Sequence, residues 1–294
     1  MDQDELFDGK NDGGKAPTRP AAFLAQDELF GGFVRVRGTS LFLGKFSLAE
    51  VSAVLGKKGF LREARKRGLW PLTFDMDSSE FPYQRFQIFY SEKKPENLIV
   101  DLKFRETVFH LKNPLLYRIL PQDYRLLAFE WLTLQNPRLH FTPERPGLPG
   151  QAAPGLNLSK KVVDLFVYIA KLQDFAGLMA YPAYYHNALL FSRYFRFVNP
   201  DKWGEVLAIH RSLPHASIKQ LAWLVHWNCL RDGAGNVYEW KSEEQILPLN
   251  KSLRRYFASR TYQRHVRHAL KKLKFSVDWD LFRRKTEESG MRLT

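Results

Sequence analysis

The segment from Pro143 to Pro200 constrains the fold most, because four local patterns follow one another in it without interruption. A Gly/Pro-rich loop comes first, in which glycines allow tight turns and prolines prevent helix. From Leu158 onward, apolar residues recur every three or four positions, which predicts an amphipathic helix. The apolar run from Ala176 to Tyr181 then predicts a buried strand. A second helix is predicted to open at Asn187 and to lead into an aromatic strand.

The start of the first helix is a predicted anion site. A helix start exposes unpaired N–H groups, and these lie beside Asn157 and Ser159. Lys160 and Lys161 fall in the first turn, where lysines oppose the helix dipole unless an anion is bound. The pattern therefore favours a cradle for a pyrophosphate. An ordinary loop followed by surface lysines is the alternative.

This order of elements resembles the central motifs of the GNAT acyltransferase superfamily. Those motifs are a cofactor-gripping loop of pattern Q/R-x-x-G-x-G/A, its helix, a strand, and a helix with Asn and Tyr before an aromatic strand. The loop here, Gln151 to Gly155, is one residue longer than the family spacing, and Asn157 stands where Gly or Ala is usual. Phe195-Arg196-Phe197 replaces the usual Gly-Phe. The resemblance implies an α/β (α+β) fold with a mixed, mostly antiparallel sheet flanked by helices.

The resemblance also implies a substrate pair and a set of binding residues. Acetyl-CoA or another acyl-CoA would be the acyl donor and an amine the acceptor, with direct attack of the amine on the thioester and no metal. The strand before the loop would splay from its neighbour and leave a slot for the pantetheine. The residues implied in cofactor binding are Gly147, Gly150, Gln151, Gly155, Asn157, Ser159, Lys160, Lys161 and Asn187.

Two residues are candidates for proton transfer. Tyr194 follows Asn187 by seven positions, where the family's tyrosine protonates the leaving thiolate. An alternative register places Phe191 there, and Tyr194 is equally well explained as a buried ring. Glu130 lies centrally in a predicted strand, where a family base is often found. An outward-facing strand carboxylate is the more ordinary interpretation of Glu130.

The chain before the loop predicts most of the sheet. Strand-like composition marks the segments Phe33–Arg37, Ser40–Leu43, Tyr83–Tyr90, Leu98–Phe109 and Leu126–Leu134, with Pro137–Thr142 extending the last. A turn signal between the third and fourth segments predicts a hairpin. Ser47 to Glu50 is a capping box that predicts a helix start. Residues 33–200 therefore form a predicted acyltransferase-like domain.

Residues 1–32 are polar and aperiodic, which predicts a disordered tail. Within the tail, Gln3 to Phe7 recurs as Gln26 to Phe30. A pentapeptide present twice predicts a docking peptide, and its Gln-x-x-Leu-Phe pattern resembles peptides that dock on bacterial sliding clamps.

Residues 201–294 predict a helical, basic extension packed on the first domain. Helices are predicted at Trp203–Leu213, Ser217–Leu230 and Leu253–Leu273, with a strand at Val237–Trp240. The tryptophans of this region supply apolar area for packing. From Lys251 to Thr294 there are 13 Lys and Arg against four Asp and Glu, a large part of the formal charge of +14.

The basic segment leaves a second function open. It is typical of a solvated helix face, a contact to nucleic-acid phosphates or membrane headgroups, or a site for an acidic partner. A non-catalytic acyltransferase-fold protein that binds through this extension is thus the alternative to an enzyme. No apolar run is long enough for a membrane span, and the first residues lack a signal-peptide pattern, which predicts a cytoplasmic protein. The single cysteine, Cys229, lies in an apolar pattern typical of core.

Overall fold

An eight-stranded sheet runs through the part of the protein that the computed structural model describes, residues 34–37, 41–111 and 123–293. Its strands are β1 (Val34–Arg37), β2 (Leu72–Asp77), β3 (Gln84–Tyr90), β4 (Leu98–His110), β5 (Asp123–Leu134), β6 (Gly177–Ala180), β7 (Arg196–Phe197) and β9 (Gln245–Pro248). Strand β8 belongs to a second sheet, described below. Their order in space is β1-β2-β3-β4-β5-β6-β9-β7. Only the pairs β1/β2 and β5/β6 are parallel within the described residues. The fold class is therefore the predicted one, mixed and mostly antiparallel.

Helices cover both faces of this sheet. They are α1 (Leu48–Lys57), α2 (Phe60–Lys66), α3 (Ser159–Leu172), α4 (Tyr185–Phe191), α5 (Pro200–Ser212), α6 (Ile218–His226), α7 (Lys251–Ala258), α8 (Arg260–Lys272) and α9 (Trp279–Ser289). A separate two-stranded sheet joins β8 (Leu230–Asp232) to β10 (Phe275–Val277). The capping box at Ser47 is confirmed, since its side chain accepts from the Glu50 N–H and the Glu50 carboxylate accepts from the Ser47 N–H.

Alternation along β5 separates two cores. Leu127 and Phe129 face α1 and α3, where the Phe129 ring meets Phe166 edge-on at 4.9 Å between centroids. Leu126 and Ala128 face the opposite side, against α7 and α8. Successive strand residues point to opposite faces, and helices cover both faces of β5. The run from Leu126 to Phe129 is therefore apolar without alternation.

The predicted hairpin is confirmed as β3 and β4, which pair antiparallel. The predicted third strand is confirmed as β5, which pairs with β4 along its whole length. The register between these two strands shifts at Lys103 and Phe104, so β5 carries an extra residue near Glu130. Such a bulge twists a strand and redirects its edge.

Three predicted strand segments are wrong. In the predicted segment Ser40–Leu43, the described residues begin at Leu41 and enter a tight turn in which Phe42 bridges Phe46, with Leu43 at φ 53°. Residues 137–142 form a turn and irregular backbone that ends in a single bridge from Thr142 to Arg145. Val237–Trp240 makes a single bridge to Arg231, because it closes the Asp232–Asn236 turn.

The extension after residue 200 contributes directly to the sheet through β9, which lies between β6 and β7. The predicted final helix is two helices, since Ser259 has extended backbone, ends α7 and caps α8 through its side chain. Among the described helices, none combines the length and apolar character that a membrane crossing requires. The repeated peptides at Gln3–Phe7 and Gln26–Phe30 lie outside the described residues.

Candidate functional site

The two parallel strands β5 and β6 part at one end. Their pairing ends at Phe129 and Ala180, while β5 continues to Leu134. Beyond the gap the chain returns, and the Leu156 N–H donates to the Leu134 carbonyl at 3.2 Å. Backbone from Glu130 to Thr133 therefore borders an opening in the sheet on the side of β6.

A cavity of about 350 Å³ occupies this opening. One wall is β5 from Phe129 onward, another is the loop from Pro149 to Ala153, and the third is the chain from Ala180 to Asn187. Helix α4 begins at the third wall. The cavity lies beyond the carboxyl ends of parallel strands, which is where open α/β sheets bind ligands.

Helix α4 differs from the prediction at its start. It begins at Tyr185, two residues before Asn187, and its N-cap Tyr184 makes no side-chain hydrogen bond. Asn187 is consequently a first-turn residue whose side chain contributes to the cavity wall. The helix ends at Phe191. The prediction that it opens at Asn187 is wrong, because the N-cap is Tyr184, but Asn187 does border the cavity.

The glycines of the loop have separate structural tasks. Gly150 has φ 77°, and a Cβ there would lie 2.5 Å from the Tyr184 ring. Gly147 packs under Phe141, and its carbonyl accepts from the Trp223 indole N–H at 3.0 Å. Of the residues implied in cofactor binding, the loop thus brings Gly150 and Gln151 to the cavity, while Gly147 anchors the extension.

The start of α3 lies outside the cavity wall. Asn157 has φ 55°, and α3 begins at Ser159 after Leu158, with no side-chain cap and no acidic residue in the first turn. Gly155 bridges Gln135. Lys160 pairs with Asp164 at 3.1 Å, and the Lys161 ammonium donates to the Lys58 carbonyl at 3.1 Å.

The two predicted proton-transfer residues are separated. Glu130 borders the cavity and is held by Arg105, with 2.7 Å between Nε and Oε1. Tyr194 follows α4 in a turn, packs half-buried against the core that contains Phe166, and is not part of the cavity wall. Glu130 therefore lies at the opening, whereas Tyr194 packs on the core and does not border the cavity.

Tyr181, Tyr184 and His186 are among the wall residues that sequence reasoning missed. Burial, with Glu244 and Glu130 nearby, raises the pKa of the Tyr181 phenol. His186 is 1% exposed, and burial, reinforced by His226, lowers its pKa to about 4. Its Nδ1 is buried without a hydrogen-bond partner. The cluster of tyrosines and a histidine on either side of Pro182 was the sequence signal that could have identified these residues.

Comparisons with known proteins provide no family assignment. No family model matches the chain, and no curated protein matches it. One solved structure is similar, AtaT complexed with acetyl-methionyl-tRNAfMet, with 10% sequence identity and a TM-score of 0.30. The match covers 75% of this chain and 94% of that one. Within the described residues, no group of three or more His, Cys, Asp or Glu side chains could hold a metal.

Proposed function

We propose that the protein is an acyl-CoA-dependent N-acyltransferase. The observation that carries the proposal is the parting of β5 and β6 around a cavity of about 350 Å³. A thioester arm is narrow and extended, and it could hydrogen-bond to the strand edge between Glu130 and Thr133. Aromatic side chains border the cavity without filling it, which favours a substrate slot over a sealed one.

The proposed reaction is direct transfer. The amine nitrogen forms a bond to the thioester carbonyl carbon, and the carbon–sulfur bond breaks. Backbone N–H groups on the free edge of β5 are suited to hold the oxyanion that develops. Tyr184 is our choice for protonating the thiolate, because it borders the cavity and Tyr194 does not. Tyr181 also borders the cavity, but its raised pKa makes it a weaker acid.

The pyrophosphate would lie at the loop and the start of α3. Its support is the first turn of α3, which has no side-chain cap or acidic residue and contains Lys160 and Lys161. Free N–H groups at a helix start attract anions. The lysines that support this part of the proposal are not residues of the cavity wall.

Calorimetric titration with acetyl-CoA and longer acyl-CoAs tests the proposal. Ala153→Trp adds bulk to the cavity wall and should abolish acyl-CoA binding. Ala234→Trp, in the exposed turn after β8, is the matched control and should bind normally. Absence of binding by the unmodified protein, or equal binding by both variants, would refute the proposed slot.

A second candidate function is binding of nucleic acid or an acidic partner without catalysis. The observation in its favour is that α7 and α8 contain no Asp or Glu and expose Arg254, Arg255, Arg264 and Arg267. This function predicts no response to acyl-CoA.

A further inference from the structure

A second cavity, of about 270 Å³, adjoins the first. Its wall combines the residues before and within α4 with α6 and with the segment that follows the β8 turn. The wall residues used below are Tyr184, Tyr185, His186, His226, Glu239 and Trp240. Since three of these come from after residue 200, the extension builds half of this cavity.

The two cavities share Ala183, Tyr184 and His186. The Tyr184 and His186 rings stack at 5.5 Å between centroids, with 24° between their planes. The stacked pair is therefore a common wall. A molecule in the second cavity would contact this pair where the two cavities meet.

His186 supplies the polar group at the common wall. The side chain is 1% exposed, and its buried Nδ1 has no partner. An unpaired buried nitrogen is unfavourable, and a ligand N–H would relieve it. Burial also lowers the pKa of this imidazole, so the ring is neutral at physiological pH and one nitrogen can accept a hydrogen bond.

The other polar features of the cavity favour a cation. Glu239 is exposed at its rim, and no ion pair to its carboxylate forms within the described residues. The rings of Tyr184 and Trp240 have electron-rich faces that attract a cation. Lys202 already lies over the Trp240 ring at 4.3 Å, and Tyr185 is buried against that ring, which leaves Tyr184 and Glu239 for a bound ligand.

We propose that the second cavity is the acceptor pocket and that it takes a primary amine on an apolar stem. The ammonium approaches between Glu239 and the Tyr184 ring, and an amine N–H is directed toward His186. This inference rests on the proposed acyl transfer for the chemistry that follows binding. The contribution of the extension to the site is then half of the wall of the acceptor pocket.

The transfer step balances without a further reactant. The bound ammonium first releases one proton to solvent at the open rim. The neutral amine nitrogen then bonds to the thioester carbonyl carbon as the carbon–sulfur bond breaks. The second proton leaves the nitrogen and ends on the thiolate, by way of the hydrogen-bonding groups of the common wall.

The test uses the full chain and two amine probes, 2-phenylethylamine and n-hexylamine, with 2-phenylethanol as a neutral analogue. Binding is followed by calorimetry and ligand-observed NMR. At least one amine should bind, and 2-phenylethanol more weakly. Glu239→Gln should weaken amine binding about fivefold and leave the alcohol unaffected, since it removes an exposed charge. Glu287→Gln, an exposed glutamate of α9, is the matched control and should change nothing.

A parallel acetyl-CoA titration separates the two proposals. Acetyl-CoA binding without amine binding, or amine binding that ignores Glu239→Gln, overturns the acceptor pocket and leaves the acyl-CoA slot standing. Amine binding that depends on Glu239 without acetyl-CoA binding supports the pocket and overturns the proposed transfer. Ala222→Phe, which narrows only the second cavity, should block the amines but not acetyl-CoA.

Discussion

His186 is placed by a backbone that no side chain caps. The chain is extended at Tyr184, with φ −113° and ψ 147°, and turns into α4 one residue later. Tyr184 consequently points toward Gly150, while His186 falls inside the first turn and is buried. The stacked pair at the common wall follows from this one turn of the chain.

Replacing His186 should change how stability depends on pH. Its folded pKa of about 4 lies below its ordinary value of 6.5. Between these values the unfolded chain binds a proton there and the folded chain does not, so stability is lost as pH falls from 6.5 toward 4. The loss should be about 3 kcal/mol. In His186→Gln this component of the pH dependence disappears, as urea unfolding at pH 7, 5.5 and 4 would detect.

Carboxylates also lose stability in acid, so the informative quantity is the difference between variant and unmodified protein. His268→Gln, at an exposed position of α8, is the control and should keep the original slope. If His186→Gln and His268→Gln show the same slope, the buried imidazole is not responsible.

Tyrosine variants distinguish the phenols of the site. Tyr184→Phe should lower kcat of acetyl transfer by about 10²-fold or more, because general acids contribute at least that much. Tyr194→Phe should stay within about threefold of the unmodified protein, since the hydroxyl that is removed lies outside the cavity wall. Steady-state kinetics at saturating acetyl-CoA would measure both. The opposite ranking would restore Tyr194 as the acid.

Residue identities at this site were only partly predictable. Glu130, Gly150, Gln151 and Asn187 were predicted and border the cavity. Tyr184 and His186 were missed because Asn187 was interpreted as a helix cap. A capping residue is a frequent signal rather than a requirement, and α4 begins without one.

At the scale of elements, periodicity was a good guide where one face is buried over many residues. Helix α3 buries Val162, Leu165, Phe166 and Ile169 as predicted, and it begins one residue after Leu158. Strand β9 was not predicted, because four residues between polar segments carry no measurable alternation. Its position between β6 and β7 depends on pairing partners distant in sequence.

The first turn of α3 gives a prediction at this scale. Lys160→Glu with Lys161→Glu should weaken acyl-CoA binding by roughly 2–4 kcal/mol, as expected for one or two charge-assisted contacts. The same change should leave the stability of the helix nearly unchanged, because acidic residues in a first turn favour the helix dipole while the loss of the Lys160–Asp164 pair opposes this gain. Calorimetry measures the affinity, and thermal unfolding measures the stability.

Lys271→Glu with Lys272→Glu is the matched control, since it makes the same charge change in the last turn of α8. The control should keep the acyl-CoA affinity. Equal loss of affinity in both double variants would mean that net charge, rather than the start of α3, attracts the ligand.

At the scale of the whole molecule, the extension and the first 200 residues share one sheet. Strand β9 pairs with β6 and β7, and the Trp223 indole donates to Gly147 in the loop that borders the cavity. The extension therefore supports two walls of the first cavity, the loop and the chain that follows β6, and it forms half of the second cavity. The sequence predicted that the extension packs on the first domain, but composition cannot reveal an inserted strand.

Helices α7 and α8 show where the basic charge lies. Their buried faces are formed by Leu253, Tyr256, Phe257, Tyr262 and Val266. The arginines and lysines occupy the exposed remainder, with no acidic residue in either helix. A charged face of this kind attracts polyanions through counterion release, whatever their sequence.

We expect weak, nonspecific binding of nucleic acid by this face. In filter-binding titrations, log affinity for duplex DNA should fall linearly with log salt, with a slope of about −0.9 for each phosphate contacted. Arg264→Ala with Arg267→Ala removes two cations of α8 and should make the slope less steep by up to about 2. Arg62→Ala with Arg65→Ala, at exposed positions of α2, is the matched control. Submicromolar binding that survives moderate salt and is lost only in the α8 variant would instead make nucleic-acid binding a dedicated function, because charge alone does not resist salt in that way.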